Sequence, residues 1–343
     1  MASLSACGGS DVNVAGSASS PAATVTPTST TGTTTTATSG ATTTSSAGAG
    51  TTATVTPTNI TASAPVSITA PAAVVPPAAA AVGYQTQTFG PQLTLGVNWW
   101  PNNFYSASIP ATQNPDGTVL ITAQGIASAT YDTSKPHQWR GLAFGGGAYF
   151  EAVLHFSNAD NSALTPSWPA FWSTDIENMS QNAVTASTQW AGQPQGFGNW
   201  IETDFFEYDR GNVNEYGIQI HNWYGYHDHA RVQDVLSYST APIKVAEGFN
   251  WADAHKYGYL WVPATATTQG YAEGFMDDVQ MGPTIYWNQY DPEAPPPPLP
   301  GTTAVSVWDS RHVILMLDTG PHNPMTIETV TVWQASDSNN LTQ

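Results

Sequence analysis

The sequence predicts an all-β protein, a two-sheet antiparallel β-sandwich of jelly-roll type behind a long disordered N-terminal tail. Three observations predict it. Beyond Tyr84, short runs of β-branched and aromatic residues recur between Gly, Pro, Asn and Asp. No stretch holds an apolar 3.6-residue period over three turns. From Gly8 to about Val82 the chain is almost entirely Ala, Ser, Thr, Gly, Pro and Val.

That last stretch carries too few large apolar groups to offset the entropy of ordering its backbone. Residues 1–83 are therefore read as a flexible, Pro-punctuated spacer and residues 84–343 as one folded domain, long enough to close a single all-β core. The only cysteine is Cys7, so no intrachain disulfide forms. Its setting, Leu4-Ser5-Ala6-Cys7-Gly8, resembles the lipobox at which bacterial signal peptides are cut and lipidated, although few residues precede it. The expectation is an exported monomer, either secreted or held at the cell envelope as a lipoprotein through Cys7. Acyl chains would enter the bilayer there while the polar spacer stays in water. No run of 18 apolar residues is present, so no membrane-spanning helix is expected.

The formal net charge is −18, from 25 acidic against 7 basic residues. Phosphate binding needs clustered Lys and Arg, so nucleic acid is excluded as a partner. The same field disfavours a strongly anionic glycan. Only 9% of residues are charged while 11% are aromatic, with 13 Trp and 14 Tyr. Most of these rings fill a β-core, but a surplus suits stacking on neutral sugars. Few bases and a low charge density also lead to an expectation of activity at acidic pH, with no optimum above about pH 8.

The expected strands, in order, are Thr118–Thr122, Tyr149–Phe156, Ile201–Tyr208, Tyr216–His221, Tyr257–Val262, Val305–Trp308, Val313–Leu317 and Thr326–Trp333. Several alternate apolar and polar residues, Thr326–Trp333 most clearly. Pro283 to Pro300, with four consecutive prolines after Ala294, reads as a loop interrupting the series.

One strand carries chemistry: Trp200-Ile201-Glu202-Thr203-Asp204-Phe205-Phe206-Glu207-Tyr208-Asp209. Side chains alternate along a strand, so Glu202 and Asp204 share a face and Glu207 should point to the other. One extra residue in a β-bulge restores the parity and puts all three acids on one face. The outer two α-carbons would then lie about 13 Å apart, and long Glu side chains leaning over the shorter Asp bring their carboxyls to about 5–6 Å, the spacing of retaining glycoside hydrolysis. Crowding three carboxylates predicts that one is held protonated, as a general acid needs. The first acid can then attack an anomeric carbon while the last protonates the departing oxygen. The alternative is a solvated acidic strand face, which the flanking Trp, Ile and Phe residues argue against.

This stretch resembles the Glu-x-Asp-x-x-Glu signature of glycoside hydrolase family 16, the laminarinase, agarase and carrageenase-like β-jelly-roll enzymes. Other segments resemble that family's motifs in the same order. They are Gly147–Ala152, Trp168-Pro169-Ala170-Phe171-Trp172, Tyr216–His221, His255–Pro263 with Gly274–Asp278, and Met325–Trp333, together spanning about residues 140–334. The chain departs from the pattern at Val153, Asp278 and Met316, where Arg, Gly and Asn are usual. The resemblance implies Glu202 as nucleophile, Glu207 as acid/base and Asp204 as the residue tuning the nucleophile. The two-residue gap between Asp204 and Glu207 resembles the laminarinase-type branch.

A glycan cleft needs flat apolar faces for sugar C–H surfaces and polar groups for hydroxyls. Trp172, Trp190, Trp200 and Trp223 are the candidate platforms, and His221 a candidate partner for a hydroxyl or for the acid/base. His227-Asp228-His229 offers two alternating histidines, but two ligands do not make a metal site, so no catalytic metal is expected. No cofactor is needed. Such folds can carry a structural calcium on the convex side, and no dense acidic loop marks one here. The leading expectation is a retaining, endo-acting hydrolase of a neutral β-glycan, with β-1,3-glucan first. Alternatives are a transglycosylase, a non-catalytic carbohydrate-binding protein on the same fold, and an adhesin-like structural lipoprotein.

Overall fold

The computed structural model describes residues 73–101, 111–122, 124–157, 169–179, 197–208, 215–226, 233–239, 242–289, 305–319 and 323–343. Cys7, Trp190 and the His227–His229 run lie outside the described residues. Among the described residues no helix is long and apolar enough to cross a membrane.

In chain order the strands begin with β1 (Thr86–Phe89), β2 (Trp100–Pro101), β3 (Ala111–Gln113), β4 (Val119–Ile121), β5 (Gln124–Ala127), β6 (Ala129–Tyr131) and β7 (Trp139–Ala143). The central strands are β8 (Ala148–Phe156), β9 (Ala170–Asp175), β10 (Phe197–Tyr208), β11 (Glu215–Tyr226), β12 (Gln233–Ser239) and β13 (Ile243–Lys244). The series closes with β14 (His255–Val262), β15 (Gly270–Met276), β16 (Val279–Trp287), β17 (Val313–Thr319), β18 (Met325–Gln334) and β19 (Leu341–Thr342). The helices described are single turns, α1 (Pro77–Ala81) and α2 (Ile176–Met179), with a 3-10 helix at Val305–Ser310.

Two antiparallel sheets dominate. One runs β16-β15-β14-β8-β18-β4-β3, with β1 also on β18; the other runs β12-β11-β10-β9-β17-β5-β2, with β13 also on β11. The two-sheet sandwich expected from the sequence is therefore the fold. A three-stranded sheet, β19-β7-β6, is added to it.

Alternation explains how the layers meet. From the first sheet Phe150, Ala152, Leu154, Phe156, Tyr257, Tyr259 and Trp261 enter the main core, all buried. From the second come Phe171, Ile201, Ile218, Ile220, Val313, Leu315 and Leu317. The residues between them face outward. On the second sheet, Ala127, Ala170, Trp172, Ile314 and Met316 form a separate cluster with Trp139 and Ala143 of β7. The small sheet thus covers one flank of that outer face, leaving the β10–β11 side for the acids.

Three expectations about elements are corrected. Val305–Trp308 is not a strand but opens the 3-10 helix. Tertiary contacts override its alternating pattern: Trp308 stacks on Trp261 at 4.6 Å, and the next residue, Asp309, accepts the indole N–H groups of Trp261 and Trp287. Pro283 is not loop either. It lies in β16, the edge strand, where a missing N–H breaks no ladder, and beside it Gly282 takes φ +78° at a register shift. Finally, packing starts ahead of Tyr84. Ala79 of α1 is fully buried with Tyr149, Leu260, Phe275 and Trp333 on the outer face of the first sheet.

Candidate active site

The bulge is present. Against β11, Asp204 pairs with Gln219 but Glu207 pairs with Gly217, so three steps on β10 match two on its neighbour. Against β9, Asp204 pairs with Trp172 and Phe206 with Phe171, two steps against one. The consequence is visible in burial: the consecutive residues Phe205 and Phe206 both enter the main core, which a regular strand cannot do. Phe205 stacks on Phe150 at 5.2 Å and on Tyr259 at 4.5 Å, and Phe206 packs on Tyr257 at 4.4 Å. With Ile201, Phe205, Phe206 and Tyr208 inward, Glu202, Asp204 and Glu207 share the outer face.

Neighbouring strands furnish that face by register. From β11, Trp223 sits across from Trp200, His221 across from Glu202 and Gln219 across from Asp204. From β9, Thr174, Trp172 and Ala170 sit across from Glu202, Asp204 and Glu207. Trp223 Nε1 donates to Glu202 Oε2 at 3.1 Å, and Gln219 Nε2 donates to Glu207 Oε2 at 2.6 Å. His221 Nε2 lies 3.5 Å from Asp204 Oδ2. Glu202 and Asp204 are 6% and 3% exposed, whereas Glu207 is half-buried. The outer two acids are each oriented by a neutral N–H donor, and the middle one lies beside an imidazole.

The candidate platforms divide. Trp200 and Trp223 are nearly parallel, 7° apart with centroids at 6.2 Å, and His221 continues the row at 6.3 Å from Trp223. Trp223 is the more open of the pair, since Trp200 is 8% exposed. Trp172 is on the acid face but 6% exposed, packed under the small sheet. Its Nε1 donates to Asp318 Oδ2 at 2.6 Å, so its ring walls the face rather than standing open on it.

Sequence reasoning missed three supporting groups. Gln219 could have been found from the register of two adjacent strands. Asp318, on β17, lies two strands from Glu207 on the same face, in register with Ala170. Desolvation pushes its carboxyl up to about 6, against the lowering effect of the Trp172 N–H. Asp175, at the end of β9, is fully buried, and burial raises its carboxyl well above the usual range despite Arg311. Its Oδ2 accepts the Ile201 N–H at 3.2 Å and lies 3.7 Å from Arg311 Nε, anchoring β10 one residue before Glu202.

Glu202, Asp204 and His221 each offer a donor atom within 4.8 Å of the others, a spacing that a divalent cation could also use. The indole donor on Glu202 and the imidazole beside Asp204 suit proton and nucleophile chemistry as well.

The chain matches no protein-family model and no curated protein. It is similar to solved structures. One is a non-specific endo-β-1,3(4)-glucanase from family GH16 crystallised with a glucan oligosaccharide, at 13% identity over 74% of this chain and 92% of that one, TM-score 0.40. A laminarinase from Rhodothermus marinus is 14% identical over 74% and 94%, TM-score 0.38. An endo-1,3-β-glucanase from Streptomyces sioyaensis is 16% identical over 75% and 97%, TM-score 0.40. At such distances function is read from the acid face itself.

Proposed function

We propose that this protein is a retaining, endo-acting hydrolase of a neutral β-linked polysaccharide, with β-1,3-glucan as the leading substrate. The observation that carries the reading is the bulge at Phe205-Phe206, which places Glu202, Asp204 and Glu207 on one face beside Trp223 and His221.

Their settings support reaction by double displacement. Glu202, oriented by the Trp223 N–H on its Oε2, attacks the anomeric carbon. Glu207, the more accessible acid, gives its proton to the departing glycosidic oxygen and then takes one from the incoming water. Gln219 fixes which Glu207 oxygen turns toward the bond. Asp204, between them and next to His221, relays charge as one acid gains a covalent bond and the other loses a proton. The Trp200–Trp223 pair supplies an apolar face for the sugar bound nearest Glu202.

A panel of laminarin, mixed-linkage glucan, agarose and carrageenan tests the substrate. Release of oligosaccharides from laminarin supports the reading; binding to it with no products from any polymer favours a carbohydrate-binding protein instead. The Glu202, Asp204 and His221 cluster is read as a proton network, so EDTA should leave the rate unchanged, and a rate abolished by EDTA and restored by a divalent cation would assign those three residues to a metal.

A further inference from the structure

We propose that Asp318 is a positioning residue of the acid face. By accepting the Trp172 indole N–H it holds that ring over β17, on the side of β9 away from Glu207, and so keeps the space above Ala170 open beside the acid/base. The kinetic part of this inference rests on the hydrolase reading above.

Register supplies the lean. Trp172 sits level with Asp204 on one side and Met316 on the other. Asp318 is two residues further along β17, level with Ala170 and, beyond it, Glu207. A hydrogen bond of 2.6 Å from Trp172 Nε1 to Asp318 Oδ2 therefore draws the indole edge across to β17 and one row along, on the side of β9 away from Glu207. The residue in that next row on β9 is Ala170, whose small side chain occupies little of the space an indole needs.

A second observation concerns the far side of the carboxylate. The partner of Asp318 on β5 is Gly125, where an added Cβ would collide with Asp318 Oδ1. The site is thus shaped on both sides, with an N–H donor facing one oxygen and room made for the other. Removing that acceptor costs the indole its 2.6 Å hydrogen bond, which gives the ring reason to move.

On this face β10 contributes Glu202, Asp204 and Glu207, and β11 contributes His221 and Glu215, the latter 3.5 Å from Lys244. The residues that β9 and β5 turn to this face, Thr174, Trp172, Ala170, Ala127 and Gly125, carry none. Titration of Asp318 is therefore separable from that of the acid strand by substitution at Asp318 alone.

Two readouts test the proposal. In 15N-labelled full-length protein, Trp172→Phe identifies the Trp172 indole resonance among the 13 tryptophans. That resonance should move with pH in the wild type, with a midpoint near about 6, and lose the transition in Asp318→Asn. In kinetics on laminarin, Asp318→Ala should raise KM about tenfold with kcat within about twofold. Asp318→Asn, whose amide oxygen still accepts the indole N–H, should keep most of the wild-type KM. Trp172→Phe should match Asp318→Ala, and the double variant should be no worse than either. An indole transition unchanged by Asp318→Asn, or losses that add in the double variant, overturns the proposal. The spectral arm decides even if no glycan is cleaved, and the Asn variant carries it if Asp318→Ala fails to fold.

Discussion

Trp223 Nε1 donates a 3.1 Å hydrogen bond to Glu202 Oε2 from the adjacent strand, so an aromatic residue expected only to stack on sugar also orients the proposed nucleophile. A hydrogen bond to a charged group contributes about 1.5–3 kcal/mol. Trp223→Phe keeps an aromatic face and removes the donor. Initial rates on laminarin should show kcat down by about tenfold or more, with KM changed less, because the lost contact acts on the reacting group rather than on sugar binding.

The bulge depends on the two phenylalanines that fill the core beneath it. Phe205→Ala removes a ring stacked between Phe150 and Tyr259. Urea unfolding should report a loss of about 3–5 kcal/mol, as for other fully buried aromatic truncations. Deleting Phe205 outright removes the extra residue, and plain alternation then still turns Glu202, Asp204 and Glu207 outward. A deletion variant that folds should therefore retain measurable cleavage of laminarin, and a folded deletion variant with none would count against the parity argument.

Glu151 gives a pH dependence of stability unconnected with catalysis. It lies on the outer face of the first sheet, across from Gly258 and Thr331, and its buried Oε2 takes no hydrogen bond among the described residues. Desolvation, only partly opposed by Lys256 and reinforced by Asp278, pushes its carboxyl up to about 7 from 4.5. Between those values the folded protein holds a proton that the unfolded chain has released. Stability is therefore full below about pH 4.5, falls as pH rises toward about 7, and is flat above, with a total on the order of 3 kcal/mol. Glu151→Gln should abolish this slope and raise Tm at about pH 8. Equal wild-type and variant stabilities at both ends of the range would contradict it.

The acid face was legible in the sequence for a physical reason. Three acids spaced two and three apart violate the strand period, and only an inserted residue reconciles them with the apolar neighbours Ile201, Phe205, Phe206 and Tyr208. Most long strands were legible as well, since β8, β10, β14 and β18 alternate or run apolar. What escaped was decided by distant partners. Val305–Ser310 has the pattern of a strand but is held as a 3-10 helix through Trp308 and Asp309. Asp318 sits alone in an apolar strand, and nothing in its neighbourhood along the chain announces the Trp172 indole 146 residues away. The burial of Trp172 could not be read locally either, because the small sheet that covers it is assembled from β6, β7 and the C-terminal β19.

The most direct test of the account is time-resolved 1H NMR of laminarin incubated with wild type, Glu202→Gln and Glu207→Gln. The wild type should release reducing ends that appear first as the β-anomer, and neither variant should release any while both bind the polymer. First appearance of the α-anomer, or undiminished cleavage by either variant, would contradict it.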